Sequence, residues 1–416
     1  MKKSLLAVAA LGAFASAAQA QSSVTVYGIL DVGYVGGNTR VADGSTGLVT
    51  KTTQNSFLNN AESTSRLGFK GTEDLGGGAS AFFTVELGLS PADTTSGFKS
   101  SATTENRQSF AGLAKKGLGN FAVGTQYTLL HNAVAATDAG QTNNILGDMI
   151  YTSGTGNGSI AAANLGNYTS GAYSAGESYT IRTQNTLTLN TENFAGFTGH
   201  GQLVMNNNNA SQTTLSGVNG YTGGTNNQNG WGLGVDYTWQ KLLATVNYQA
   251  FSAKNSYNMN GGAVSVANYN TALFGAGQSS ILGSNVNDNQ WYAAATYDFG
   301  ILKAYAQYIN RKVTAAQNTG YYAKRTGEQI GVRSFITPTI EAWAQGGLGK
   351  ETTFGASNPA ANLTSWQVGS NYWLSKRTNL YAIYGQVGTS NVSIVNTTNP
   401  SSFNASNYAI GLRHTF

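Results

Sequence analysis

Charge is scarce in this 416-residue chain, with only 10% of residues Asp, Glu, Lys or Arg, so the placement of the few reactive side chains limits the chemistry open to it. The three histidines, His131, His200 and His414, lie far apart, and none has a metal-ligand spacing such as HxxH or HExxH. A serine nucleophile needs a neighbouring base, and His200 is the one histidine on an alternating segment that could face an enclosed interior. Gly346-Gly347-Leu348-Gly349-Lys350-Glu351 resembles a phosphate loop but lacks the first glycine spacing and the Ser/Thr after lysine, and it falls within a strand-like segment. These residues call for no cofactor or metal. With zero cysteines, a disulfide framework is excluded too.

What remains is charge at alternate positions. Arg66, Gly68 and Lys70 share one face of a strand-like segment, with Leu67, Phe69 and Gly71 on the other. In the next segment Ser80, Phe82, Thr84 and Glu86 oppose Ala79, Ala81, Phe83, Val85 and Leu87. A charge on the lipid face of a membrane strand costs about 2 to 4 kcal/mol at the bilayer midplane. Arg66, Lys70 and Glu86 are therefore expected to point into an interior, either wetting its wall or lining a narrow zone.

The rest of the chain says what builds that interior. Lys2 and Lys3, an apolar run and Ala18-Gln19-Ala20 read as a secretory signal peptide over residues 1–20, leaving residues 21–416 as a single domain. Beyond it there is no run of 18 apolar residues, so a membrane span has to be a closed barrel, the form that satisfies every backbone group in lipid. Without the two signal lysines the chain carries 21 Lys+Arg against 18 Asp+Glu, an excess too mild to suggest nucleic acid. Four prolines, 53 glycines and 22 tyrosines suit many strands joined by polar turns. A mean hydropathy of −0.21 fits a wet-lumen barrel, whose outward apolar residues alternate with inward polar ones.

About 16 alternating segments, each near the roughly 9 to 11 residues that a tilted membrane strand needs, fall at 24–35, 63–72, 79–89, 106–114, 120–127, 180–190, 196–206, 230–239, 242–251, 289–299, 302–312, 328–336, 339–350, 364–374, 379–388 and 407–416. Short turns alternate with long Asn/Ser/Thr/Gly-rich loops at 36–62, 128–179, 207–229, 252–288 and 389–406. That alternation predicts an all-β, antiparallel, up-and-down transmembrane barrel with periplasmic turns and extracellular loops. Trp231, Leu233, Val235, Tyr237 and Trp239 form an apolar face with aromatics at both ends, as interface girdles require. The last segment sets Tyr408, Ile410, Leu412 and Phe416 on one face, an expected signal for an assembly machine.

Three stretches, SSVTVYGILDVGY (22–34), SRLGFKGTEDLGGG (65–78) and the pair SKRTNLY (375–381) with GLRHTF (411–416), resemble the trimeric Gram-negative general porins, in the branch that includes anion-preferring channels. The resemblance implies 16 strands, a homotrimer in the outer membrane, contact with lipid bilayer and lipopolysaccharide, recognition by the outer-membrane insertion machinery, and passive diffusion of small hydrophilic solutes and anions. It also implies that the third long loop folds inward to form a constriction. Carried over position by position, the basic cluster maps to Arg66, Arg107 in NRQSF and Arg182 in IRTQN, with Glu86 as the acidic lumen residue. Asp138 and Asp148 would be acids of the constriction loop. The sequence departs from the family in two places: Gly124-Thr125-Gln126 stands where Gly-Arg-Gln is common, and loop 128–179 lacks a Pro-Glu-Phe-Gly element. The competing readings are a secreted or surface all-β adhesive or structural protein, which would show a short fixed repeat, an autotransporter barrel, which would carry a passenger domain ahead of its strands, and a barrel hydrolase.

Overall fold

The computed structural model describes residues 23–42, 46–92, 106–151, 182–209, 225–254, 286–315, 322–354, 360–392 and 401–416, with short pieces at 213–214, 221–223 and 257–258. The signal segment 1–20 and residues 152–181 of the third loop lie outside these. In chain order come β1 (Ser23–Ala42), β2 (Val49–Asn59), β3 (Arg66–Gly76), β4 (Ala79–Gly88), β5 (Asn106–Lys115), β6 (Gly119–Tyr127), α1 (Leu129–Thr137), β7 (Arg182–Thr191) and β8 (Phe197–Asn209). Next are β9 (Thr213–Thr214), β10 (Tyr221–Gly223), β11 (Thr225–Trp239), β12 (Leu242–Lys254), β13 (Tyr257–Asn258), β14 (Val286–Asp298) and β15 (Lys303–Ala315). The chain closes with β16 (Tyr322–Thr337), β17 (Ile340–Phe354), β18 (Ala360–Trp373), β19 (Thr378–Val392) and β20 (Ser401–Thr415).

Seventeen of these strands form one antiparallel sheet, while β9, β10 and β13 form a small separate one. The large sheet closes on itself where β1 pairs with β20, from Ile29↔Thr415 to Ala42↔Ser402, so no edge is left for lipid to meet. The seventeen strands make sixteen staves, because β2 and β3 share one. Residues 32–42 of β1 pair with β2 and residues 23–29 pair with β3, and the segment from Asn60 to Ser65 bulges out opposite just Leu30 and Asp31.

The dyad pattern sorts the faces as read from sequence. Leu233, Val235, Val246, Ile330, Val368, Ile410 and Leu412 are exposed on the outer wall, and ring pairs Trp231–Tyr248, Trp291–Tyr308 and Trp366–Tyr384 form an outer aromatic belt. The β3–β4 turn runs through Gly76, Gly77 and Gly78, all at positive φ (81°, 58° and 76°), where other residues would be strained.

One expectation fails. Segment 36–62 is not a loop: β1 extends to Ala42 and pairs with β2 as a hairpin. Above the membrane both faces meet water, so an Asn/Thr-rich strand carries no apolar alternation to reveal it. The third loop opens with α1, capped by Thr128, whose hydroxyl accepts from the His131 N–H. Leu129, Leu130, Ala133 and Val134 of α1 are buried against the inner wall. Leu130, Ala133 and Val134 cluster with Ile150, Tyr292 and Ile309, so the described part of the loop, residues 128–151, lies inside the barrel.

Candidate functional site

The inner wall has two unlike halves. On the β3–β7 side, Arg66 stands directly after the interrupted stave, and the interruption is built to hold it. Asp31 accepts from the N–H groups of Glu62 (2.8 Å) and Ser63 (2.6 Å) and from the Tyr381 hydroxyl (2.5 Å). Asn60, at φ 68°, accepts from the Ser65 N–H at 2.7 Å. The segment so bent presents the Thr64 carbonyl and the Ser63 hydroxyl to the Arg66 guanidinium at 2.8 and 3.2 Å.

Glu86 is the hub of this half. Its Oε1 accepts from Arg107 Nε at 2.7 Å and lies 3.8 Å from Arg66 Nη1, while Oε2 accepts from the Tyr27 hydroxyl at 3.0 Å. Arg107 arrives there through a β-bulge: Glu86 stands opposite Gln108 and Leu87 opposite Asn106, so Arg107 has no register partner and turns to the carboxylate. Its Nη2 donates to the Tyr127 hydroxyl at 2.5 Å. Arg182 lies over the Tyr127 ring at 5.7 Å, and His131 of α1 stacks on that ring at 4.3 Å, with Tyr151 beyond it at 5.9 Å. Lys70, exposed on the same inward face, sits over Tyr27 at 5.4 Å. The structure thus brings Arg66, Lys70, Glu86, Arg107 and Arg182 together, with two guanidiniums dividing one carboxylate.

The other half, β14–β19, is covered by residues 138–150 and is electrically quiet. Two of its arginines are matched by acids: Arg311 with Asp288 at 2.7 Å, and Arg333 with Glu341 at 2.5 and 2.8 Å. At the loop, Arg333 also donates to the Ala139 carbonyl (2.7 Å) and Arg325 donates to the Met149 carbonyl (2.8 Å). Inward glutamines on neighbouring staves satisfy the loop backbone. Gln345 accepts from the Gly140 N–H (2.9 Å), Gln329 accepts from the Met149 N–H (2.6 Å), and Gln367 donates to the Ile145 and Leu146 carbonyls at 3.0 Å each. Glycines make the room. A Cβ on Gly347 would come within 2.5 Å of the Met149 Cβ, and one on Gly385 would collide with the Leu146 carbonyl. The phosphate-loop look-alike is therefore part of a seat for Met149.

Asp138 and Asp148 do not face the open channel. Asp138 accepts from the Thr142 N–H (2.6 Å) and Gln329 (3.3 Å), and Asp148 accepts from the N–H groups of Ile150 and Tyr151 (2.7 Å each) and Gln345 (3.1 Å). Burial pushes both carboxyls above the usual carboxylate range, Asp148 the further because the charge of Asp138 adds to it. Thr125 stands opposite Ser109 in the β5–β6 register, without the guanidinium of the family pattern. His200 lies on the inner wall, bonded to Asn190 (2.8 Å) and Asp236 (3.2 Å). Ile410 and Leu412 are exposed outside, Tyr408 packs on Tyr34, and Phe416 pairs its backbone with Gly28. Among the described residues no three His, Cys, Asp or Glu gather as a metal site.

Tyr27, Tyr127 and Tyr151 were not singled out from the sequence, and His131 was weighed only as a metal ligand. The first was within reach, since in Val24–Thr25–Val26–Tyr27 the tyrosine falls on the polar face.

A family model described as Gram-negative porin matches residues 7–392. The chain belongs to the Gram-negative porin family. The major outer membrane protein P.IB of Neisseria gonorrhoeae is 29% identical over 381 residues, spanning 84% of this chain and 96% of that relative. Among solved structures, the porin resembles the anion-selective porin from Comamonas acidovorans with a TM-score of 0.61 at 20% identity, covering 95% of this chain and all of that one. It also resembles the trimer form of OmpT, an outer membrane protein of Vibrio cholerae, with a TM-score of 0.58 at 13% identity, covering 95% and 99%. The porin is an outer-membrane β-barrel, and its family works as passive channels rather than as enzymes.

Proposed function

We propose that this porin is a weakly anion-preferring diffusion channel, with Arg66, Arg107 and Arg182 as the selective wall, Glu86 as the strut that holds two of them, and Lys70 extending the positive face. The observation that carries the reading is that Arg66 and Arg107 divide the single carboxylate of Glu86, whereas Arg311 and Arg333 on the opposite half each have an acid of their own. Fixed positive charge in a narrow, low-dielectric passage concentrates anions without any conformational cycle. Arginine keeps that charge at every physiological pH, and its fork can grip Glu86 while still facing water. The resemblance to a porin described as anion-selective agrees with this. Asp138 and Asp148 serve in this reading as loop anchors that leave the field of the opposite wall largely uncancelled.

In the same reading the chain is exported through a cleaved segment at residues 1–20, assembles as a homotrimer among lipopolysaccharide, and is delivered by insertion machinery that reads the β20 face of Tyr408, Ile410, Leu412 and Phe416. The test is the reversal potential of the porin in a planar bilayer under a KCl gradient. Anion preference that shrinks as both salt concentrations rise is expected, since the screening length falls to about 3 Å near 1 M salt. A cation preference would overturn the reading.

A further inference from the structure

The break between β2 and β3 takes residues 60–65 off the ladder, and their backbone groups need other partners. The barrel wall supplies some of them. The Asn60 N–H donates to the Asp31 carbonyl at 3.1 Å, and the Ser65 carbonyl accepts from the Leu89 N–H at 2.8 Å. The Asp31 carboxylate takes the N–H groups of Glu62 and Ser63. Two carbonyls at the head of the bend are met by the third loop instead, through one residue. The Asn144 N–H donates to the Ala61 carbonyl at 3.0 Å, and the Asn144 side-chain amide donates to the Asn60 carbonyl at 2.6 Å and to the Thr64 hydroxyl at 3.4 Å.

Its neighbours hold Asn144 in that place. Asn143 donates to Gln367 of β18 at 2.6 Å, the Leu146 N–H donates to Asn407 of β20 at 2.9 Å, and Ile145 is buried in one apolar cluster with Ala61 of the bend, Tyr381 and Ile383. The loop is therefore fastened on both sides of Asn144. The bend in turn grips Arg66, whose Nε donates to the Thr64 carbonyl at 2.8 Å and whose Nη2 donates to the Ser63 hydroxyl at 3.2 Å. Glu86 balances the charge of Arg66 from 3.8 Å, beyond hydrogen-bond reach. The direction of this long, rotamer-rich side chain is thus fixed by the carbonyl and hydroxyl of the bend.

We infer that Asn144 is a positioning residue for ion preference: it stands in for the strand partner that the bend has lost, and through the bend the third loop sets where the Arg66 guanidinium points. A loop that only narrowed the channel would need anchors on the wall it covers, and the inward glutamines already supply those. The bonds of Asn144 reach past that wall to the bend that carries Arg66. The loop then has two tasks, to narrow the passage and to aim a charge of the half it leaves open. The inference rests on the reading of Arg66 as part of the selective wall.

The test is a double-mutant cycle on the full-length porin in planar bilayers, with reversal potentials under a KCl gradient for wild type, Arg66→Gln, Asn144→Leu and Arg66→Gln/Asn144→Leu. Leucine keeps the branched shape of asparagine and removes its side-chain donors. Asn144→Leu should lower the anion-to-cation permeability ratio by most of the fall that Arg66→Gln produces. The double variant should match Arg66→Gln, because two changes that act through one side chain do not add. Asn144→Gln, which keeps an amide donor on a longer arm, should restore part of the ratio. Hydrogen exchange at residues 60–66 is a readout that needs no ion preference, and it should run roughly tenfold faster in Asn144→Leu, as a segment that has lost hydrogen bonds opens more often. Should Asn144→Leu fail to fold, Asn144→Ser is expected to move both readouts less and in the same direction. A wild-type ratio in Asn144→Leu where Arg66→Gln has lowered it, an equal fall with and without Arg66, or unchanged exchange at 60–66 overturns the inference. A wild-type ratio in Arg66→Gln contradicts the selective role of Arg66 instead, and faster exchange then still supports the hold of Asn144 on the bend.

Discussion

The two halves of the inner wall solve opposite problems with the same backbone. On the β3–β7 half, charge is left in surplus around Glu86, with Lys70 exposed, Arg66 and Arg182 half-buried and Arg107 buried. On the β14–β19 half, Arg311 and Arg333 each have an acid, Arg325 is held by the Met149 carbonyl of the covering loop, and uncharged glutamines do the rest of the holding. A guanidinium buried without a partner costs several kcal/mol, so those the loop covers are met by acids or by its own carbonyls. The field in the channel then comes from one side.

The largest expected effect lies on the covered half. Glu341→Gln leaves Arg333 buried without its carboxylate, and breaking such a pair by one partner costs about 3 to 5 kcal/mol. Urea unfolding of the detergent-refolded barrel should show that loss, and Arg333→Gln/Glu341→Gln should recover most of it. If the single and double variants were equally destabilised, the matching would not be what the covered half depends on.

A smaller effect is expected at the loop seat. Gln367 donates to Asn143, Ile145 and Leu146 and accepts from Asn143 and Trp343. Gln367→Leu leaves buried carbonyls unpaired, at about 1 to 3 kcal/mol, and should loosen the loop. Single-channel records should then show larger and noisier conductance. A quiet trace with the wild-type step size would show that the amides do not hold the loop.

Smaller again is the pH response of Asp138 and Asp148. Their folded-state affinity for protons is raised, so the seat is tightest at low pH, where both are neutral in either state. It weakens as pH rises from the ordinary carboxylate value of 3.8 toward their raised folded-state values. Protease sensitivity of the loop should increase over that window in wild type. Asp148→Asn should flatten the dependence, and a steeper slope in the variant would contradict the assignment.

Much of the fold was legible because membrane strands advertise themselves twice, by dyad alternation and by the alternation of short turns with long loops. The strand pairing of residues 36–42 with β2 was not, because strands that stand in water on both faces lose the first signal. Arg66, Lys70 and Glu86 could be turned inward from spacing alone. Arg107 could not. Its inward course depends on a one-residue bulge opposite Glu86, and a strict period of two puts it on the face opposite Phe110, whose ring meets the inward Phe82. The glutamines at 329, 345 and 367 were visible as polar residues on inward faces, but what they bind is a loop whose course no strand period encodes. Gly347 and Gly349 matched a phosphate loop too poorly to be one, and Met149 fills the space they leave.

The smallest change in free energy bears most directly on the contrast between the halves. Arg66→Gln/Glu86→Gln/Arg107→Gln removes two positive charges and one negative from the open half, while Arg333→Gln/Glu341→Gln removes one of each from the covered half. Reversal potentials of both variants and wild type, taken in the same KCl gradient, should show the anion-to-cation permeability ratio falling in the first and holding at the wild-type value in the second. Equal ratios in all three channels, or an equal fall in both variants, would contradict a one-sided field.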